Sequence, residues 1–127
     1  MILDKEFISS LLKEAAASVR LRQNFDLRNS SADTSQRMLN ALQPGTNVPI
    51  HRHEDTAETV ICIEGKLEEI FYLPVNPDNT EFKETSRVLL CPYEGYFGIQ
   101  IPPGTWHSIN VIEPSVIFEA KDGAYKG

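Results

Sequence analysis

Residues 44–65, PGTNVPIHRHEDTAETVICIEG, are the stretch from which the fold is read. His51 and His53 stand two apart in a run with strand character. A strand places residues i and i+2 on one face, so both imidazoles reach a single concave site. The polar residues 54–57 suit a tight turn, after which the next strand brings the Glu58 carboxylate back across from the histidines. Two imidazoles and one carboxylate around open positions form the arrangement used by non-haem iron and related divalent metals. A second stretch, IPPGTWH at 101–107, supplies a fourth candidate ligand, His107, from another part of the chain. These three histidines are all the sequence contains. An octahedral ion held by His51, His53, Glu58 and His107 keeps two positions for water or substrate. It then offers Lewis-acid polarisation, a bound nucleophile or an oxygen site. One His in a strand is more often a surface or satisfied core residue. The joint spacing carries the metal assignment, not any single residue.

Around this segment the chain divides simply. Asp4 caps a helix in which Phe7, Leu11, Ala15 and Val19 share a face, and the helical pattern fades at Asn24–Asp26. Residues 29–35, NSSADTS, are a loop. Strands are expected near 36–42, 48–53, 58–64, 66–73, 82–90, 96–101, 105–112 and 115–121, divided by turn signals such as Glu64-Gly65 and Glu113-Pro114. Eight short strands at this spacing predict an all-β barrel or sandwich. The expected organisation is a helical arm over 1–30 packed on a barrel over 31–127, in one structural domain.

Composition narrows the partners. The 127 residues are 41% hydrophobic and 24% charged, which suits one globular domain. A formal charge of −6 excludes nucleic acid and anionic membrane as expected partners. Charges at Asp4, Lys5, Glu6, Lys13 and Glu14 leave no apolar run for a signal peptide or span, so a cytoplasmic location is expected. Cys62 and Cys91 form no CxxC pair, which removes a cysteine zinc site. Cys62 shares strand parity with Glu58 and Val60 and is expected inside the barrel as a small hydrophobe.

Charge is unevenly spread. Residues 20–52 hold five arginines against two aspartates, a local +3, while the rest of the chain carries −9. Arginine without lysine suits bidentate recognition of a carboxylate or phosphate. Arg37 is the candidate substrate contact, with Tyr96 and Glu119 as further pocket candidates. Some of the five arginines are expected to bind an anionic substrate beside the metal. The alternative is that they only pack, with Arg20 and Arg22 docking the helix and alternation pointing Arg52 out of the barrel.

The spacing Gly45…His51-x-His53…Glu58…Gly65, followed by Pro102-x-Gly104-x-x-His107, resembles the two motifs of the cupin superfamily. A finer resemblance is to the WbuC-type cupin-fold metalloproteins. It is carried by Gln36-Arg37-Met38, Pro44-Gly45-Thr46, His51-Arg52-His53, Trp106-His107 and Phe118-Glu119-Ala120-Lys121 with Gly123 and Tyr125. The resemblance implies a small double-stranded β-helix (jelly-roll) barrel with an N-terminal α-helix. It also implies one divalent ion on His51, His53, Glu58 and His107, a homodimer, and an association with O-antigen polysaccharide biosynthesis. Iron, manganese, nickel, cobalt, zinc and copper all suit these ligands.

With every histidine committed to the ion, none is left as a free base, which argues against a metal-independent epimerase. Three readings remain open. The first is a metal-dependent isomerase, lyase or dioxygenase acting on a small anionic or sugar-like molecule. The second is a non-catalytic module that binds a sugar or sugar acid, and the third is a purely structural metal.

Overall fold

In the computed structural model, which describes residues 1–123, the chain opens with helix α1 (Lys5–Ala17). Tyr125, one of the residues carrying the finer resemblance, lies outside the described residues. Asp4 caps α1, its Oδ1 accepting from the Phe7 amide at 3.0 Å and satisfying one of the free amides of the first turn. Ile8, Leu11 and Ala15 form the buried face. Val19 lies beyond the helix and is fully exposed, so the helical stripe stops one turn earlier than its spacing predicts.

Six strands follow: β1 (Arg22–Asp26), β2 (Ser35–Leu42), β3 (Glu58–Pro74), β4 (Phe82–Leu90), β5 (Gly98–Ile101) and β6 (Trp106–Asp122). They form one antiparallel sheet in the order β1-β2-β6-β3-β4, with β5 paired to β3. The fold is mainly β with a single helix ahead of it, as expected. The sheet curls so that inner faces meet: Leu42, Val60, Cys62, Leu67, Leu90, Ile101, Val111 and Ile117 make one core. The outer face of β2 and β6 carries Leu39, Ala41, Val116 and Phe118. These pack under α1 in a second cluster.

The strand pattern differs from the sequence expectation in three places. The strand β1 replaces a fading helix; it pairs Arg22 with Leu42 through Asp26 with Met38. Segment 48–53 is not a strand; its backbone pairs with β6 at one isolated bridge, His51–His107. Pro49 has no amide to give a ladder. Finally, Glu64-Gly65 and Glu113-Pro114 do not separate strands. They are facing corners inside the long strands β3 and β6, where the register shifts. Gly65 has φ +100, and a Cβ there would collide with the Pro114 carbonyl and with Ser115. Only glycine permits that approach.

Candidate metal centre and cavity

The three imidazoles converge at one end of the barrel. His107 enters on β6 opposite Phe71 of β3. His51 is fixed to it by two backbone bonds, the His51 amide to the His107 carbonyl at 3.0 Å and the reverse at 2.8 Å. His53 is held by its carbonyl, which accepts from the Gly104 amide at 2.8 Å. The Pro-Pro-Gly turn therefore anchors both histidine segments. Ring centroids lie 4.3 Å apart for His51–His107, 5.3 Å for His51–His53 and 5.8 Å for His53–His107. A nitrogen of each ring lies within 4.8 Å of the others, close enough for one ion to bridge all three.

Glu58 begins β3 and pairs with Ile101 and Lys121, so its carboxylate arrives from the adjoining wall and not from a hairpin partner of the histidine segment. Its oxygens lie 3.2 Å from His53 Nε2 and 3.6 Å from His107 Nε2. Burial pushes the Glu58 carboxyl up, but His107 and His53 beside it prevail and hold it at about 2. His51 is lowered by burial and then by the neighbouring His107, which keeps it neutral and able to ligate near neutral pH.

The donor set fits a divalent ion. His51 Nδ1 lies 2.9 Å from the Pro49 carbonyl and His107 Nδ1 lies 2.9 Å from the Thr105 carbonyl. A carbonyl can only accept, so both Nδ1 atoms carry the proton and the Nε2 lone pairs are free. The Nε2 atoms of His53 and His107 are buried without a hydrogen-bond partner.

Beside this group lies a cavity of about 190 Å³. His51, Glu58 and His107 line it together with Arg20, Arg22 and Asn24 near β1, Met38 and Asn40 of β2, and Glu69 and Glu119 of the long strands. Glu119, a pocket candidate from the sequence, is among the residues lining this cavity. Burial, followed by the charge of Glu58, pushes its carboxyl up to about 7. Glu69 is driven well above its ordinary value by burial, then by Glu119 and Glu58.

Arg37 lies elsewhere. It falls on the helix-side parity of β2, and its guanidinium pairs with Asp33 at 3.0 Å and donates to the Ser35 carbonyl at 2.9 Å. Tyr96 is half exposed, its backbone closing a bridge with Cys91. Neither lines the cavity. Arg20 and Arg22 do, and for these two the sequence left ligand binding and helix docking both open; Arg22 also donates to the Asn47 carbonyl. Arg52 points outward as alternation requires, stacked 4.6 Å from the Trp106 ring centroid and paired with Glu54. Sequence reasoning did not single out Asn40 and Glu69. The available signal was parity: Met38, Asn40 and Leu42 share one face of β2, and Leu67 and Glu69 share one face of β3.

Residues 3–76 match the model of the family described as Domain of unknown function (DUF6016). A comparison with curated proteins gives no match. Solved structures of similar fold include the cupin domain of Cnp3 from Schizosaccharomyces pombe, at TM-score 0.59 and 11% identity over 81% of this chain and 65% of that one. Another is the capsular polysaccharide assembling protein CapF from Staphylococcus aureus, at TM-score 0.62 and 18% identity over 86% of this chain. A third is a cupin-2 domain containing protein from Shewanella frigidimarina, at TM-score 0.55 and 20% identity over 80% of each chain. At these identities the likeness is one of fold, and the fold is that of the cupins. The chain spans only 30% of the length of CapF.

Proposed function

The chain belongs to the family described as Domain of unknown function (DUF6016), and from that premise we propose that it is a divalent-metal protein acting as a metal-dependent enzyme on a small anionic or sugar-like molecule. One observation carries the reading. Two buried imidazole nitrogens, His53 Nε2 and His107 Nε2, have no hydrogen-bond partner and lie 3.2 and 3.6 Å from the Glu58 carboxylate. Buried polar atoms left unpaired are costly, and a cation ligated by these groups removes the cost.

His51, His53, His107 and Glu58 would hold the ion, which could be iron, manganese, nickel, cobalt, zinc or copper. When bound it would supply Lewis-acid polarisation of a ligand oxygen. The chain's own residues do the rest. The Pro49 and Thr105 carbonyls fix the imidazole tautomers. Arg20 and Arg22 bring positive charge to the cavity and favour an anionic group there. Val48, Val60 and Ile109 keep water from its apolar side. With no imidazole outside the metal group, proton transfer falls to the carboxyls of Glu119 and Glu69, which suits an isomerase, lyase or dioxygenase.

The WbuC-type resemblance supports a role in surface polysaccharide (O-antigen) biosynthesis and a homodimer, and the charged N-terminal stretch supports a cytoplasmic location. The fold likeness to CapF, a capsular polysaccharide assembling protein, is in keeping with the first of these. A non-catalytic sugar or sugar-acid binding module is the second reading. It is favoured by the commitment of every histidine to one group, which leaves no imidazole for acid–base work.

The two readings separate on turnover. Protein loaded in turn with iron, manganese, nickel and zinc, with and without oxygen, is incubated with sugar acids and sugar phosphates and followed by NMR. Product formation that His107→Ala abolishes supports the enzyme. Metal-dependent affinity without product supports the module, and neither effect contradicts both.

A further inference from the structure

The cavity wall beside the imidazoles carries buried side-chain oxygens without hydrogen-bond partners. Glu69 is only 1% exposed, and its Oε2 has no partner among the described residues. Asn40 Oδ1 is likewise unpartnered, although its amide nitrogen donates to Glu119 Oε1 at 3.4 Å. These side chains come from three strands, β2, β3 and β6, whose inner faces meet here, and all three line the cavity shared with His51, Glu58 and His107. The fold therefore places three polar side chains inward, and the protein leaves an oxygen of two of them, Asn40 and Glu69, unsatisfied. Buried acceptors of this kind favour whatever brings donors to them.

We propose that Asn40, Glu69 and Glu119 form a hydroxyl-binding subsite next to the metal, so that the ligand is a short polyhydroxylated molecule, sugar-like and not merely anionic. The proposal rests on the metal reading above and narrows its ligand class. A hydroxyl suits this wall better than an ammonium, because it accepts as well as donates and the Asn40 amide and the Arg20 and Arg22 guanidiniums are donors. The three imidazoles are grouped closely enough for an ion, with the Glu58 carboxylate 3.2 Å from His53 and 3.6 Å from His107, which leaves Glu69 and Glu119 to the organic ligand. At about 190 Å³ the cavity is smaller than the roughly 300–1,000 Å³ of sites for drug-sized ligands, so the enclosed part of the ligand is a few carbons long.

Calorimetric titration of the zinc-loaded chain with L-threonate and with 2-hydroxybutyrate tests this. Both carry the same carboxylate and α-hydroxyl, hence the same metal chelate, and differ in the hydroxyls at C3 and C4. Threonate is expected to bind about tenfold tighter or more. Glu69→Gln and Asn40→Ala should each collapse that ratio towards one while zinc content, read on the same samples, stays unchanged. Equal affinities in the parent overturn the subsite, as does a ratio that survives both substitutions. Tighter binding of 4-amino-2-hydroxybutyrate than of threonate overturns it in favour of a cation site. A parent that holds no zinc sinks the metal reading alone. Erythritol against 1,4-butanediol then makes the same hydroxyl comparison without a metal, and equal affinities again overturn the subsite.

Discussion

Single side chains set the chemistry through the imidazole nitrogen that each leaves free. The Pro49 and Thr105 carbonyls accept from the Nδ1 atoms of His51 and His107, so their Nε2 lone pairs are left free. Replacing both His51 and His53 by alanine is expected to abolish metal uptake, by equilibrium dialysis, while far-ultraviolet circular dichroism keeps its β signature. Glu69 yields a pH prediction. Burial raises its carboxyl well above the ordinary 4.5, so the folded chain holds that proton more tightly than the unfolded chain. The resulting stability is fully present below about pH 4.5 and is lost as pH rises through the folded value. In metal-free protein, Glu69→Gln should therefore gain on the parent by about 1.4 kcal/mol per pH unit across that window, measured by urea unfolding. A difference that does not change with pH would contradict it. The convergence of the three histidines was legible because they lie within a few residues of fixed turns. Which arginine reaches the cavity was not legible. Arg37 and its neighbour Met38 sit on opposite faces of β2, and a single-residue error of register exchanges them.

The elements of greatest consequence are the two long strands. A reader of sequence alone sees Glu64-Gly65 and Glu113-Pro114 as breaks, since both pairs carry turn residues. In the folded chain they are apposed corners that let β3 and β6 bend together, and the pairing resumes beyond them. Gly65→Ala places a methyl against the Pro114 carbonyl at φ +100 and is expected to cost about 1–3 kcal/mol in chemical denaturation. Unchanged stability would show that the corner relaxes freely. Removal of the helix cap is milder: Asp4→Ala should cost about 1 kcal/mol. The strand β1 escaped sequence reading because its period-two pattern is weak, with only Phe25 packing under α1. That strand nevertheless carries Arg22 and Asn24 to the cavity edge, so the local signal was poorest where the cavity begins.

At the scale of the whole molecule, the average charge of −6 conceals a basic segment that contributes Arg20 and Arg22 to the cavity. The barrel also leaves Ile61, Ile63, Phe97 and Ile112 exposed on its outside. Large apolar side chains of this kind are suited to pairing with a second copy. Sedimentation is expected to give twice the 14.3 kDa of the single chain, and a monomer at micromolar concentration would contradict the homodimer. Fold class was readable from the alternation of short apolar runs and turns, whereas cavity contents depended on contacts between residues far apart in sequence, such as Asn40 with Glu119. The central claim is the metal, and elemental analysis of protein purified without an affinity tag tests it most directly. The account predicts close to one divalent transition-metal ion per chain, lost in the His51→Ala, His53→Ala double variant. Protein that contains none, and takes up none when iron, manganese, nickel, cobalt, zinc and copper are supplied in turn, would contradict it.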